Sequence, residues 1–169
     1  MSKIGIFYSF RSTKTAKAAE KIIEAFGNDY QIDKIDADTV NEEQFLSYNK
    51  LILGVPTWFD GELPNYWDEF VPALEDLDLT GKKVAVWGMG DQVGYPENFG
   101  DAAGIMCELL SSRGAIIVGA TSTDGYVFES SKALVGNKFC GLILDQENQA
   151  RLSSHRIEQW VNDLKKNFK

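Results

Sequence analysis

The chain has 169 residues, of which 44% are hydrophobic and 25% charged, with a net charge of −8. That length is one domain's, enough to bury a substantial core, and the composition excludes a wholly disordered chain. The acidic balance argues against nucleic acid or an anionic membrane as the main partner and leaves a basic protein surface open.

The N-terminal "MSKIGIFYSF" has too short an apolar run for a signal peptide, and no segment approaches the length of a membrane span. A reducing cytoplasm is therefore expected. Residues 3–8, "KIGIFY", read as a buried strand. A helix follows over about 15–26, with Ala16, Ala19, Ile22, Ile23 and Phe26 on one face. "YQIDKID" (30–36) is a weaker second strand and "KLILGV" (50–55) a third. A helix is expected around Trp67, Phe70, Val71 and Leu74, started by Pro64 and kinked or limited by Pro72. "KKVAVWGMG" (82–90) is a fourth strand, before a helix over about 100–112. "AIIVGA" (115–120) and "FCGLILD" (139–145) are strand-like and separated by an insertion at about 120–138. The last helix turns Ile157, Trp160, Val161, Leu164 and Phe168 to one side, with Ser153 or Ser154 as its cap.

Strands apolar on both faces, alternating with helices, mean a parallel sheet covered on both sides. Such doubly wound α/β folds bind ligands beyond the carboxyl ends of the strands. Three loops there carry chemistry. The first, after Tyr8, holds Ser9, Ser12, Thr13 and Thr15 at a helix N-terminus, where free N–H groups and hydroxyls suit a phosphate. Helix capping by Ser12 or Thr13 would account for only one of these hydroxyls. The nucleotide-hydrolase P-loop fails here, because its glycines would fall at Tyr8 and Thr13, and no GxGxxG exists. The second loop, "PTWFDGELPNYW" (56–67), places Trp58 and Phe59 before an Asp60-Gly61 turn. A Trp58 folded back on the core is the plain alternative to one that covers a flat ligand. The third, "GMGDQVGYPENFGDA" (88–102), has glycines for close backbone approach, Tyr95 in a Gly-Tyr-Pro turn, and Asp91 and Asn98 as hydrogen-bonding groups. Trp58 and Tyr95 on neighbouring loops suggest a sandwich for an aromatic ring.

The two cysteines, Cys107 and Cys140, read as buried free thiols, and no CxxC supports dithiol chemistry. His155, the single histidine, reads as a surface or capping residue and not a zinc ligand.

"PTW…GEL", "GDQVGYPENF", "STDGY.FESSKAL", "GLILDQENQ" and "RIEQWV" stand in this order along the chain. Together they resemble the long-chain flavodoxins over essentially the whole length, the insertion included. The resemblance implies a flavodoxin-like five-stranded parallel sheet, order 2-1-3-4-5, whose fifth strand is interrupted. It also implies non-covalent FMN and a monomeric, low-potential one-electron carrier that stands in for ferredoxin. A ferredoxin–NADP reductase-like donor would supply it. Its acceptors would be those of ferredoxin: photosystem, nitrogenase or tetrapyrrole reductase. Residue by residue, Trp58 and Tyr95 match the two faces of the isoalloxazine. Pro56, Thr57, Phe59, Asp60, Gly61, Gly88, Gly90, Asp91, Asn98 and Phe99 lie in the loops framing the ring and ribityl chain. Glu147 matches an acid near the ribityl side. The stretch Ser9, Phe10, Arg11, Ser12, Thr13, Lys14, Thr15 matches the phosphate loop T-x-T-G-x-T, with Phe10 in place of its first hydroxyl residue and Thr13 in place of its glycine. In this family the carbonyl matching the Phe59–Asp60 peptide reorients on reduction to accept a hydrogen bond from flavin N5. Three other readings share parts of this pattern. A quinone-reductase-type flavin enzyme would need a nicotinamide contact and usually a dimer. A phosphoacceptor signalling domain would want Asp clusters where the chain has Tyr8-Ser9 and Val55-Pro56. A flavin-free interaction module would be colourless.

Overall fold

The structure is a computed structural model describing residues 2–169. Its sheet is built from β1 (Ser2–Tyr8), β2 (Tyr30–Asp36), β3 (Lys50–Gly54), β4 (Lys83–Met89) and β5 (Ile116–Val118), all parallel, in the order β2-β1-β3-β4-β5. The interrupted fifth strand is visible in the register. β5 pairs with the first half of β4, Lys83 to Ala85, and a later segment, Leu142–Leu144, pairs with the second half, Trp87 to Met89. Between them β6 (Thr121–Ser122), β7 (Leu134–Val135) and β8 (Lys138–Phe139) form a small antiparallel sheet, and Leu142–Leu144 is β9.

The central strands are buried on both faces because helices cover both. On one side α1 (Thr13–Phe26) and the C-terminal helix Ser153–Asn167 pack against Ile4, Ile6, Ile52, Ala85 and Trp87. On the other, Phe7, Leu51, Leu53, Val84 and Val86 meet α2 (Glu42–Leu46), α3 (Asn65–Asp68), α4 (Val71–Leu74) and α5 (Asp101–Ser112). Two buried indoles find carbonyl partners: Trp67 Nε1 donates to Gly54 O at 2.8 Å and Trp160 Nε1 to Gly119 O at 2.7 Å. Among the described residues no helix is long and apolar enough to cross a membrane.

The expected elements form with a few differences. α1 begins at Thr13, two residues early. The single helix expected around Trp67 is two short ones, because Pro72 at the start of α4 lacks the N–H that a continuous helix would need. α2 has no counterpart in the sequence reading. Its sign is the capping box: Asn41 Oδ1 accepts from Gln44 N at 2.8 Å, and Gln44 Oε1 from Asn41 N at 3.1 Å. Neither serine caps the last helix. Leu152 holds the cap position, and the Ser153 hydroxyl instead bonds the Gln146 side chain, from α6 (Gln146–Gln149); the last helix is α7.

Candidate functional site

A cleft of about 420 Å³ opens beyond the carboxyl ends of β1, β3 and β4, where the order of strands reverses. That volume falls within the range of small-molecule sites. The first wall is the start of α1. Ser12 is its N-cap in extended conformation, yet its side chain makes no capping bond, so capping does not explain this hydroxyl. Thr13, Lys14 and the almost fully buried Thr15 complete this wall, and the first turn of α1 carries no acidic residue. Free N–H groups, uncommitted hydroxyls and the positive end of a fourteen-residue helix make a cradle for an anion. Opposite stands Glu147, whose carboxylate forms an ion pair with Lys14.

The second wall is a tight hairpin after β3. Trp58 and Glu62 exchange backbone bonds, N to O 2.9 Å and 2.7 Å. The tip has Phe59 at φ 49° and Gly61 at φ 99°. A Cβ on Gly61 would lie 2.7 Å from Asp101 Oδ2, so glycine is required there both by conformation and by close approach. Thr57 Oγ1 accepts from Ala102 N at 3.2 Å, fastening the hairpin to the first turn of α5. Trp58 lines the cleft and packs edge-on to Tyr66 at 5.9 Å. It is half-buried, so the alternative of a core tryptophan does not hold. The Tyr66 hydroxyl is buried without a partner, and burial pushes its pKa well up, with the charges of Asp38 and Asp36 adding to the shift.

The third wall is the loop after β4. Tyr95 lines the cleft while half its surface faces solvent. Asp91 builds the turn that carries it: Oδ1 accepts from Gly94 N at 2.8 Å and Val93 N at 3.1 Å, and Tyr95 N donates to Asp91 O at 2.9 Å. The Gly94 amide, followed by the Asn148 side chain and the Val93 amide, holds the Asp91 carboxyl below its ordinary range. A fully buried carboxylate anchors the same loop. Asp145 Oδ2 accepts from Gln92 N (3.1 Å) and Gln92 Nε2 (2.7 Å), and Asp145 Oδ1 from Asn148 N (2.9 Å).

Of the residues singled out from the sequence, Ser12, Thr13, Lys14, Thr15, Pro56, Thr57, Trp58, Phe59, Gly90, Asp91, Tyr95, Asn98 and Glu147 line this one cleft. The others do not. Ser9 is buried in the turn, its carbonyl accepting from Ser12 N at 3.1 Å. Phe10 lays its ring on Tyr8 at 5.1 Å. Arg11 turns away to Asp38, Nε to Oδ2 2.7 Å. Asp60 is exposed at the hairpin tip. Gly61 and Gly88 stand behind the walls; a Cβ on Gly88 would press on Ala103 and Ile143. Phe99 is fully buried and stacks on Phe128 at 5.3 Å, so it supports Gly90 from beneath and does not frame a ligand. Met89 and Gln146 join the cleft unforeseen, each next in sequence to a residue that was foreseen.

The flavodoxin family model matches residues 6–160. Flavodoxin of Trichodesmium erythraeum is 46% identical over 169 residues, covering 99% of each chain, and that of Synechocystis sp. 44% over 165 residues, covering 98% of this chain and 97% of that one. The crystal structure of Fusobacterium nucleatum flavodoxin bound to flavin mononucleotide superposes with a TM-score of 0.94 at 33% identity, covering all of both chains. With the strand order, the interrupted fifth strand and near-complete coverage in agreement, this chain belongs to the flavodoxin family.

Proposed function

We propose that this chain binds one FMN in the cleft and carries single electrons from a reductase to acceptor redox enzymes, in place of ferredoxin. One observation carries the reading: a single cleft joins an anion cradle with uncommitted hydroxyls to two aromatic walls. The flavin mononucleotide bound in the Fusobacterium nucleatum relative supports it. FMN, when bound, supplies the one-electron chemistry. The chain's residues bind and tune it. Ser12, Thr15 and the first-turn amides of α1 would hold the phosphate, with Lys14 supplying a positive charge. Trp58 and Tyr95 would cover the ring and exclude water. Asp91, Asn98 and Gly90 would frame its edge, and Glu147 the ribityl side. The carbonyl of the Phe59–Asp60 peptide would accept a hydrogen bond from a protonated ring nitrogen of the flavin.

Seven acids and no Lys or Arg lie between Leu51 and Gly81. Those closest in sequence to the cleft walls, Asp60, Glu62, Asp68 and Glu69, would disfavour added negative charge there and lower the second one-electron potential. Each ~1.4 kcal/mol of such cost moves a one-electron potential by about 59 mV. These acids, with Phe59 and Tyr95 exposed at the cleft, suit a basic protein surface such as a ferredoxin–NADP reductase-like donor in the cytoplasm. The test is a titration of the flavin-free protein with FMN and with riboflavin, followed by stepwise reduction. Tight FMN binding in a 1:1 ratio, weaker riboflavin binding and two separated one-electron steps are expected. Equal affinity for both flavins removes the phosphate cradle. Steady NAD(P)H oxidation by the protein alone makes it an enzyme.

A further inference from the structure

The chain's two cysteines share no sequence motif, yet the fold brings them into one core cluster and to one cavity. Cys107 is on the buried face of α5, and Cys140 lies between β8 and β9. Cys140 N donates to Ala133 O at 2.8 Å, which fixes the backbone, and its Sγ lies 4.0 Å from Ala103 O. Ala103 is one helical turn before Cys107, so the Cys140 sulfur sits over the α5 face that carries Cys107. Both thiols are free, and each is the other's strongest electrostatic neighbour. Both line a surface cavity of about 670 Å³, walled also by Gly104, Glu108, Lys132 and Leu134. Two free thiols brought to the same wall of one cavity are more than core packing requires.

We propose that Cys107 and Cys140 are a modification site, closing to an intramolecular disulfide when the protein meets hydrogen peroxide. The neighbouring Cys107 holds the Cys140 thiol below its ordinary range, while Cys140 and burial push the Cys107 thiol up. Attack therefore starts at Cys140. Its thiolate sulfur takes one peroxide oxygen, the O–O bond breaks, and the departing hydroxide leaves as water with the proton that Cys140 gave up. The Cys107 sulfur then displaces the hydroxyl of the resulting sulfenic acid. The S–S bond forms, the S–O bond breaks, and a second water leaves with the Cys107 proton. Two electrons and two protons pass from the thiols to one peroxide.

The cross-link would tie α5 to the chain leading into β9 and close a loop that contains the insertion. The insertion already touches the cleft's support, since Asp101 Oδ1 accepts from Lys132 N at 2.8 Å and Asp101 Oδ2 from Asn98 Nδ2 at 3.1 Å. A disulfide there acts on open forms of the chain more than on the native one.

The experiment is peroxide titration of the purified protein with its bound flavin, quenched by alkylation under denaturing conditions, with intact mass measured without reductant. Its outcome does not depend on the flavin reading. The monomer should lose about 2 Da, its alkylatable thiols should fall from two to none, and dithiothreitol should restore both. Peptide mapping should find Cys107 joined to Cys140, and Cys107→Ser should instead gain about 16 Da at Cys140. Oxygen uptake at the wild-type thiols without loss of hydrogen, disulfides only between molecules, or thiols that stay alkylatable while methionines oxidise would each overturn the proposal.

Discussion

Replacing Phe59 with glycine and, separately, with alanine isolates backbone strain at the tip of the cleft hairpin. Among the described residues Phe59 is the only non-glycine residue at positive φ, at 49°. For an L-residue that conformation costs roughly 1–2 kcal/mol. The ring is 70% exposed and touches Trp58 edge-on at 6.3 Å. Its hidden part is therefore roughly 60 Å², at most ~1.5 kcal/mol of burial. Both substitutions forfeit that term, so it cancels between them. At an ordinary position glycine is the less stable of the two by about 0.4–1 kcal/mol, because it leaves the unfolded chain more freedom. At Phe59 alanine keeps a Cβ in the left-handed region and glycine does not. The order should invert, with Phe59→Gly more stable than Phe59→Ala by about 1 kcal/mol. Urea unfolding of the flavin-free proteins reads this as a difference in midpoint at equal slope. An alanine variant as stable as the glycine variant, or more so, would refute the claim that the hairpin stores strain.

Thr15→Val preserves shape at a nearly fully buried position, and should weaken FMN by ~1–3 kcal/mol while leaving riboflavin unchanged, measured by fluorescence titration. Tyr95→Ala should restore flavin fluorescence and raise the second one-electron potential; unmoved values would mean that Tyr95 does not cover the ring. Asp60→Gly should widen the separation of the two one-electron midpoints more than Asp60→Asn does, because both remove the charge and only glycine eases the turn. Equal separations would show that turn conformation does not govern this step. The Asp91 carboxyl is held below its unfolded range chiefly by the Gly94 amide. Its contribution is therefore present above the unfolded value and lost as pH falls through the lower folded value. Stability should fall more steeply below about pH 4 in the wild type than in Asp91→Asn, and parallel acid profiles in urea melts would contradict this.

Much of the site is legible in one dimension because its chemistry sits in loops at strand ends. The hydroxyls of residues 9–15, Trp58 and Tyr95 interrupt apolar runs that otherwise repeat with strand or helix period, and such interruptions are local. α2 was equally local, since Asn41 and Gln44 sign its start, but its single buried residue, Phe45, gives no periodicity.

Period records which face of an element is apolar and says nothing about which distant side chain meets it. Phe99 is a core residue because Phe128 from the insertion and Phe139 just after it pack on its ring. Arg11 leaves the cleft because the loop after β2 presents Asp38. Met89 and Gln146 enter the cleft because β4 and β9 end side by side, with Met89 paired to Leu144. Cys107 and Cys140 come to one cavity only because β9 resumes the edge of β4 beside the helix that β4 leads into. The sequence by itself determined the elements, the hydroxyl loop and the two aromatic walls, since each depends on neighbours a few residues away. Tertiary structure alone decided which of those residues share a cleft, which support it from behind, and which thiols share a cavity, because these placements depend on strand order and register over the whole chain.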